Sequence, residues 1–265
     1  MGVRLAVAAV LIPVVLLTLY LGPLWLWVLL VEVFLVAALW EFFRLLDQFS
    51  LRGFEITAVA TCLSPIVSAA CRSYVPVFLL SIPVLLLARS FWRGAAGGAV
   101  LPRAGVNILC FFYLGVPFSL AVLAGESESA ASHGHELVFV LICVWLSDSA
   151  GFFVGRKIGR HKVTPRLSPN KSMEGFVAAL IAPGLAAVLL HPLLFSGPPT
   201  VSAAILGSLI GAAAIGGDLF ESFLKRRAGI KDSSALLPGH GGVLDRIDSL
   251  LFAGPCYYLL ERALA

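Results

Sequence analysis

The run Thr200-Val-Ser-Ala-Ala-Ile-Leu-Gly-Ser-Leu-Ile-Gly-Ala-Ala-Ala-Ile-Gly-Gly217 carries no charge. It breaks at once into Asp218-Leu-Phe-Glu-Ser-Phe-Leu-Lys-Arg-Arg227. The uncharged part approaches the ~20 residues that carry a helix across a bilayer. The charged part continues to Asp248, through Lys231-Asp232 and Leu237-Pro-Gly-His-Gly-Gly-Val-Leu-Asp-Arg-Ile-Asp248. A polar segment between apolar spans is costly, so it is expected to have a chemical role.

The rest of the chain has the same apolar texture. Hydrophobic residues make up 59% of it and charged residues only 13%, and the mean hydropathy of +0.96 excludes an ordinary soluble domain. Hydropathy predicts about nine spans: Val3–Leu21, Pro23–Phe43, Ile56–Cys71, Val75–Ala88, Ala104–Ala124, Glu136–Val154, Gly175–Leu194, Thr200–Gly217 and Leu244–Ala263. The fold class is therefore all-α, a polytopic helical membrane protein. Residues 1–130 read as plain transmembrane helices and 131–265 as a catalytic transmembrane region with two polar cytoplasmic loops. The first apolar run exceeds a signal-peptide core of ~7–15 residues and lacks a clean small-x-small site, so it reads as an uncleaved span. Cys62, Cys71, Cys110, Cys143 and Cys256 have no metal-ligand spacing and read as small buried hydrophobes.

Charge sets an orientation. With the N-terminus in the cytoplasm, 17 of the 19 Lys and Arg fall on the cytoplasmic side, and only Arg72 and Arg262 fall outside. The outer segment Gly125–Glu136 holds Glu126, Glu128 and Glu136 and no basic residue. The net charge of +4 thus reads as a membrane-orientation signal and an anion-binding one, with no nucleic-acid partner. In the first half, Glu32 and Glu41 lie in or near the second span, where an acid serves either function or a pairing between helices. Asp47 and Glu55 read as loop solvation, Arg89–Arg103 as a flexible basic loop without P-loop spacing, and His133-x-His135 as a weak metal signal.

Chemistry concentrates in the second half. Asp148 interrupts an apolar span and needs a partner or a cation. Gly155-Arg-Lys-Ile-Gly-Arg-His-Lys162 and Leu167-Ser-Pro-Asn-Lys-Ser-Met-Glu-Gly175 follow it. Their glycines permit close backbone approach to a phosphate and their basic groups supply charge. Ser168-Pro169 is expected to begin a helix whose N-terminal amides attract anions. On a helix, Asp218, Glu221, Ser222 and Lys225 share one face. Carboxylates with a hydroxyl suit a hard cation such as Mg²⁺, and the lysine suits the phosphate that the metal bridges. Asp245 and Asp248 lie three apart at the start of the last helix, with Arg246 off their face. Gly239-His-Gly-Gly242 reads as a tight loop able to wrap a phosphate or sugar. Acids on two helices can hold two cations ~3.5–4 Å apart, as in two-metal phosphoryl chemistry. The metal candidates are Asp148, Asp218, Glu221, Asp245 and Asp248.

The combined pattern Ser222-x-Leu-Lys-Arg-x4-Lys-Asp-x-Ser-x2-Leu-Pro-x-His-Gly-Gly-Val-x-Asp-Arg-Ile-Asp248 resembles the signature of the phosphatidate cytidylyltransferases, or CDP-diacylglycerol synthases. Asp148-Ser-Ala-Gly-Phe-Phe-Val-Gly-Arg-Lys-Ile-Gly-Arg-His161, Leu167–Gly175 and Gly217-Asp-Leu-x-Glu-Ser222 resemble further blocks of that family. The resemblance covers roughly residues 141 to 260. Phe152, Asn170 and Ser172 depart from the family's usual Tyr, Lys and Thr without removing any acid.

The resemblance implies that CTP and phosphatidate give CDP-diacylglycerol and pyrophosphate, with Mg²⁺ and room for a second cation, K⁺ or Mg²⁺. It implies catalytic roles for Asp218, Asp245, Asp248 and Lys225. Substrate contacts are implied for Ser168, Lys171, Ser222, Arg226, Lys231, Asp232, His240, Gly241, Gly242 and Arg246. It admits a homodimer. The expected location is a bacterial inner membrane with the site facing the cytoplasm. Two alternatives stay open: a CTP-dependent polyprenol or phytol kinase, and a transporter with intramembrane acids.

Overall fold

The computed structural model describes residues 2–47, 55–94, 100–125, 134–164, 168–194, 201–237, 239 and 241–264. His133, Arg166, His240, Glu126, Glu128 and the centre of the Arg89–Arg103 loop lie outside them, as do the side chains of Asp47 and Glu55.

Helices dominate: α1 (Gly2–Leu21), α2 (Leu24–Asp47), α3 (Glu55–Ala70), α4 (Val75–Gly94), α5 (Val100–Cys110), α6 (Val116–Gly125), α7 (His135–Ile158), α8 (Met173–Leu194), α9 (Val201–Arg227) and α10 (Leu244–Leu264). A π-turn, Phe111–Gly115, joins α5 to α6, so these two fill the place of one expected span. Each expected span thus coincides with a described helical rod. Among the described residues, six are long and apolar enough to cross a membrane. The chain is an integral membrane protein. α10 falls outside the six; Asp245, Arg246, Asp248 and Glu261 all lie along it.

The helical architecture is broken by a short antiparallel hairpin, β1 (Lys162–Thr164) with β2 (Ser168–Ser172). Here the expected helix start at Ser168-Pro169 is corrected. The chain stays extended through Ser172, and α8 begins at Met173. Ser172 Oγ accepts the Gly175 N–H at 3.2 Å, so it is the serine that caps the helix.

The described chain divides into two compact units. One comprises Met1–Glu126 with Asp232–Leu244, and the other Ser127–Lys231 with Asp245–Ala265. In the first unit, Ile82, Leu86 and Phe111 form an apolar cluster, beside which a line of buried polar groups runs through α3. Thr57 Oγ1 donates to Asn107 Oδ1 at 2.6 Å, and Asn107 Nδ2 donates to Ser90 Oγ at 2.9 Å. Ser64 Oγ reaches the Gly115 carbonyl at 3.2 Å, a carbonyl that belongs to the π-turn. Buried in an apolar setting, such groups need these partners, because an unmet hydrogen bond is expensive there.

The second unit packs through small residues. A Cβ on Gly175 would meet the Gly151 carbonyl at 2.7 Å, and one on Gly211 the Ala179 carbonyl at 2.6 Å. Backbones of α7, α8 and α9 therefore approach closely, the arrangement that favours helix association in a bilayer. Ser147 Oγ ties α7 to α8 through the Ala179 carbonyl at 2.9 Å. Phe139, Cys143, Ile210, Ala253 and Tyr257 complete this unit's core.

Candidate active site

The site grows from the polar end of α9. The helical spacing read from the sequence is realised: Ser222 Oγ donates to Asp218 Oδ1 at 3.3 Å, one turn away. One turn further along, Lys225 Nζ reaches Glu221 Oε2 at 2.5 Å and Asp245 Oδ1 on α10 at 2.7 Å. Glu221 is fully buried, and its carboxyl also faces Asp248. The lysine thus bridges an acid on α9 to an acid on α10.

A second lysine arrives from the hairpin. Lys171 Nζ lies 2.7 Å from Asp218 Oδ2. It can do so because β2 runs extended toward the α9 end instead of coiling into α8. Gly217 supplies the remaining closeness. A Cβ there would collide with the Asp248 carbonyl, so α9 and α10 touch one residue before Asp218. Asp248 is buried, hydrogen-bonds with the Glu221 carboxyl and senses the charge of Asp218. Asp148 on α7 stands in the field of four groups: Asp218 and Asp248 repel it, and Lys171 and Arg246 attract it. Five carboxylates and two ammonium groups therefore meet at one end of the unit.

Other predicted residues are placed elsewhere. Ser168 pairs with Thr164 at the far end of the hairpin. Arg226 is exposed and donates to the Ile230 carbonyl at 3.5 Å. Lys231 and Asp232 are exposed. Leu237 and Gly241 close a tight loop by a backbone hydrogen bond of 2.9 Å, with Gly239 and Gly241 at φ of 75° and 83°. Those positive angles explain both glycines without a ligand. Gly242 is buried, and a Cβ on it would press against Ser233 and against Glu41.

The sequence marks Glu41 only as an acid in or near the second span. It is fully buried and accepts four hydrogen bonds from the 233–244 segment. No local signal marks it, because its partners lie 192 to 203 residues away in sequence. Glu32 instead lines an apolar groove with Val33, Val36, Ala37, Trp40 and Leu236. Phe152, at the position where a tyrosine is usual, is exposed and stacks edge-on with Phe153 at 5.4 Å.

The donor set fits a hard cation. Carboxylate oxygens are what Mg²⁺ prefers, and Asp218, Glu221, Asp245 and Asp248 supply them on two adjoining helices. Among the described residues no three acids, histidines or cysteines already converge as a metal cage. Lysine ammonium groups stand between them instead.

The model of the cytidylyltransferase family matches residues 2–264. The chain belongs to that family. The match bears out the resemblance of the charged signature and extends it over the first 130 residues, whose sequence reads only as generic spans. The phosphatidate cytidylyltransferase of Haemophilus influenzae is 37% identical over 202 residues, 68% of this chain and 69% of that protein. The phosphatidate cytidylyltransferase of Brucella suis is 38% identical over 189 residues, 71% of this chain and 65% of that protein. An uncharacterised Escherichia coli protein is 41% identical over 126 residues, 48% of this chain and 42% of its own length.

Proposed function

We propose that this chain transfers the cytidylyl group of CTP to phosphatidate, releasing CDP-diacylglycerol and pyrophosphate. The observation that carries the reading is the interleaving of Lys171 and Lys225 with Asp218, Glu221 and Asp245. A phosphate oxygen of phosphatidate attacks the α-phosphorus of CTP. The new P–O bond forms as the bond to the β-phosphate oxygen breaks, and pyrophosphate leaves with that electron pair. The attacking oxygen is already ionised near neutral pH, so no strong base is needed. Positioning and neutralisation of charge carry the rate.

Each residue then has a task. Lys171 and Lys225 exchange a carboxylate for phosphate oxygens and hold them. Ser222 orients Asp218. Arg246 answers the charge on Asp148. Asp148, Asp218, Glu221, Asp245 and Asp248 would hold Mg²⁺, with room for a second cation (K⁺ or Mg²⁺), and the metal would supply charge neutralisation on the triphosphate. Ser168, Arg226, Lys231, Asp232, His240, Gly241 and Gly242 belong to the substrate-binding part of the proposal. The positive-inside bias supports a cytoplasmic N-terminus and a site facing the cytoplasm, where CTP is supplied, with the lipid entering from the bilayer. The bacterial relatives support an inner-membrane location, and a homodimer is part of the proposal.

The test is incubation of purified protein with CTP labelled at the α-phosphorus, Mg²⁺ and phosphatidate, followed by lipid extraction. Label in the lipid phase with release of pyrophosphate is expected. Release of CDP with transfer of the γ-phosphate would establish a lipid kinase instead. Substrate flux without nucleotide turnover would establish a transporter.

A further inference from the structure

We infer that Glu41, outside every charged motif, is a positioning residue for the reaction, setting from inside α2 the conformation of the segment Ser233–Leu244; this rests on the cytidylyl-transfer reading. Glu41 lies on the buried face of α2, with Leu35, Ala38, Phe42 and Leu45. A carboxylate among such neighbours is costly unless its acceptor sites are filled.

Among the described residues, the donors come from one segment. Ser233 Oγ donates to Oε2 at 3.0 Å and Ser234 Oγ to Oε1 at 2.5 Å. The Val243 N–H reaches Oε1 at 2.9 Å and the Leu244 N–H reaches Oε2 at 2.6 Å. The two hydroxyls come from one end of the segment and the two amides from the other. One side chain thus pins both ends of the segment that carries Gly241 and Gly242, and it accepts the N–H of Leu244, the first residue of α10. Gly242 belongs to the same device. A Cβ there would stand 2.6 Å from both carboxylate oxygens and would collide with Ser233 Oγ. This glycine therefore makes room for Glu41.

Glu41→Gln keeps the shape but turns an acceptor into an NH₂ that faces a donor. Two readouts follow in the purified full chain. Amide hydrogen exchange at Val243 and Leu244 is expected to accelerate at least about tenfold. The KM for CTP is expected to rise about tenfold or more, with kcat per folded molecule changed less, and the thermal midpoint is expected to fall because buried donors lose their acceptor. If Glu41→Gln is not recovered folded, Ser234→Ala removes one hydroxyl donor and should raise the KM about threefold. Faster exchange with wild-type kinetics would overturn the positioning role, and unchanged exchange would overturn the hold on the loop. Absence of cytidylyl transfer in the wild type would refute the reaction instead, and the exchange arm would still decide whether Glu41 sets the segment.

Discussion

The two units treat polar groups in opposite ways. In α7–α10, charge gathers at one end, Lys171 and Lys225 remain partly open, and the acids outnumber the lysines that pair with them. In α2–α6, polar groups sit inside the packing and are tied to defined partners: Thr57 with Asn107, Asn107 with Ser90, Glu41 with four donors. Surplus charge at an accessible helix end is suited to take up a charged ligand. Closed polar networks in an apolar interior fix geometry. Catalysis by positioning needs both.

The largest effects should separate these roles. Asp218→Ala and Asp245→Ala each remove a carboxylate from the charged cluster. Turnover should fall more than about a hundredfold while the thermal midpoint in detergent stays near the wild type. Normal activity in either purified variant would sink the metal and phosphate assignment. Asn107→Leu should show the reverse. It deletes the partner of both Thr57 and Ser90, costing about 1–3 kcal/mol for each group left unmet. Its residual folded fraction should turn over at the wild-type rate, measured as activity per folded molecule.

These residues also show what a sequence can display. Asp218, Glu221, Ser222 and Lys225 were readable together because a helix repeats every 3.6 residues and the four fall within two turns. Lys171 joins them through a hairpin, and a serine followed by proline looks like a helix start; only the strand pairing with β1 overrides that local preference. Glu41 was out of reach for a different reason. Four donors converge on it from a segment about 200 residues away, and no periodicity encodes such a contact. The nine helical rods among the described residues are legible because bilayer thickness sets their length. The Phe111–Gly115 π-turn was not, since its extra residue leaves the hydropathy pattern unchanged.

An intermediate effect tests the small-residue seams. Gly175→Val places side-chain atoms against the Gly151 carbonyl and Gly155 Cα, where there is no flexible neighbour to yield. A loss of about 1–3 kcal/mol is expected from overpacking, seen as a lower thermal midpoint. Gly105→Ala is the matched control in the other unit: nothing lies within 4 Å of its Cβ, and alanine favours the helix. Its midpoint should hold or rise slightly.

The smallest effect belongs to His161 and Glu174. Their side chains meet at 2.7 Å, but the histidine is 82% exposed, and water weakens such a pair. His161→Ala should leave the thermal midpoint within the scatter of the assay. The pair lies at the rim of an apolar groove between α7 and α8, lined by Val154, Ile158, Met173 and Val177. A chain with lipid as its proposed substrate gives that rim a meaning which stability does not measure. If His161→Ala raises the KM for phosphatidate while leaving that for CTP unchanged, the open end of the second unit extends from the acid cluster along the hairpin. If neither constant moves, the functional surface stops at Lys171, and His161 with Glu174 serves only to close the turn between β1 and α8.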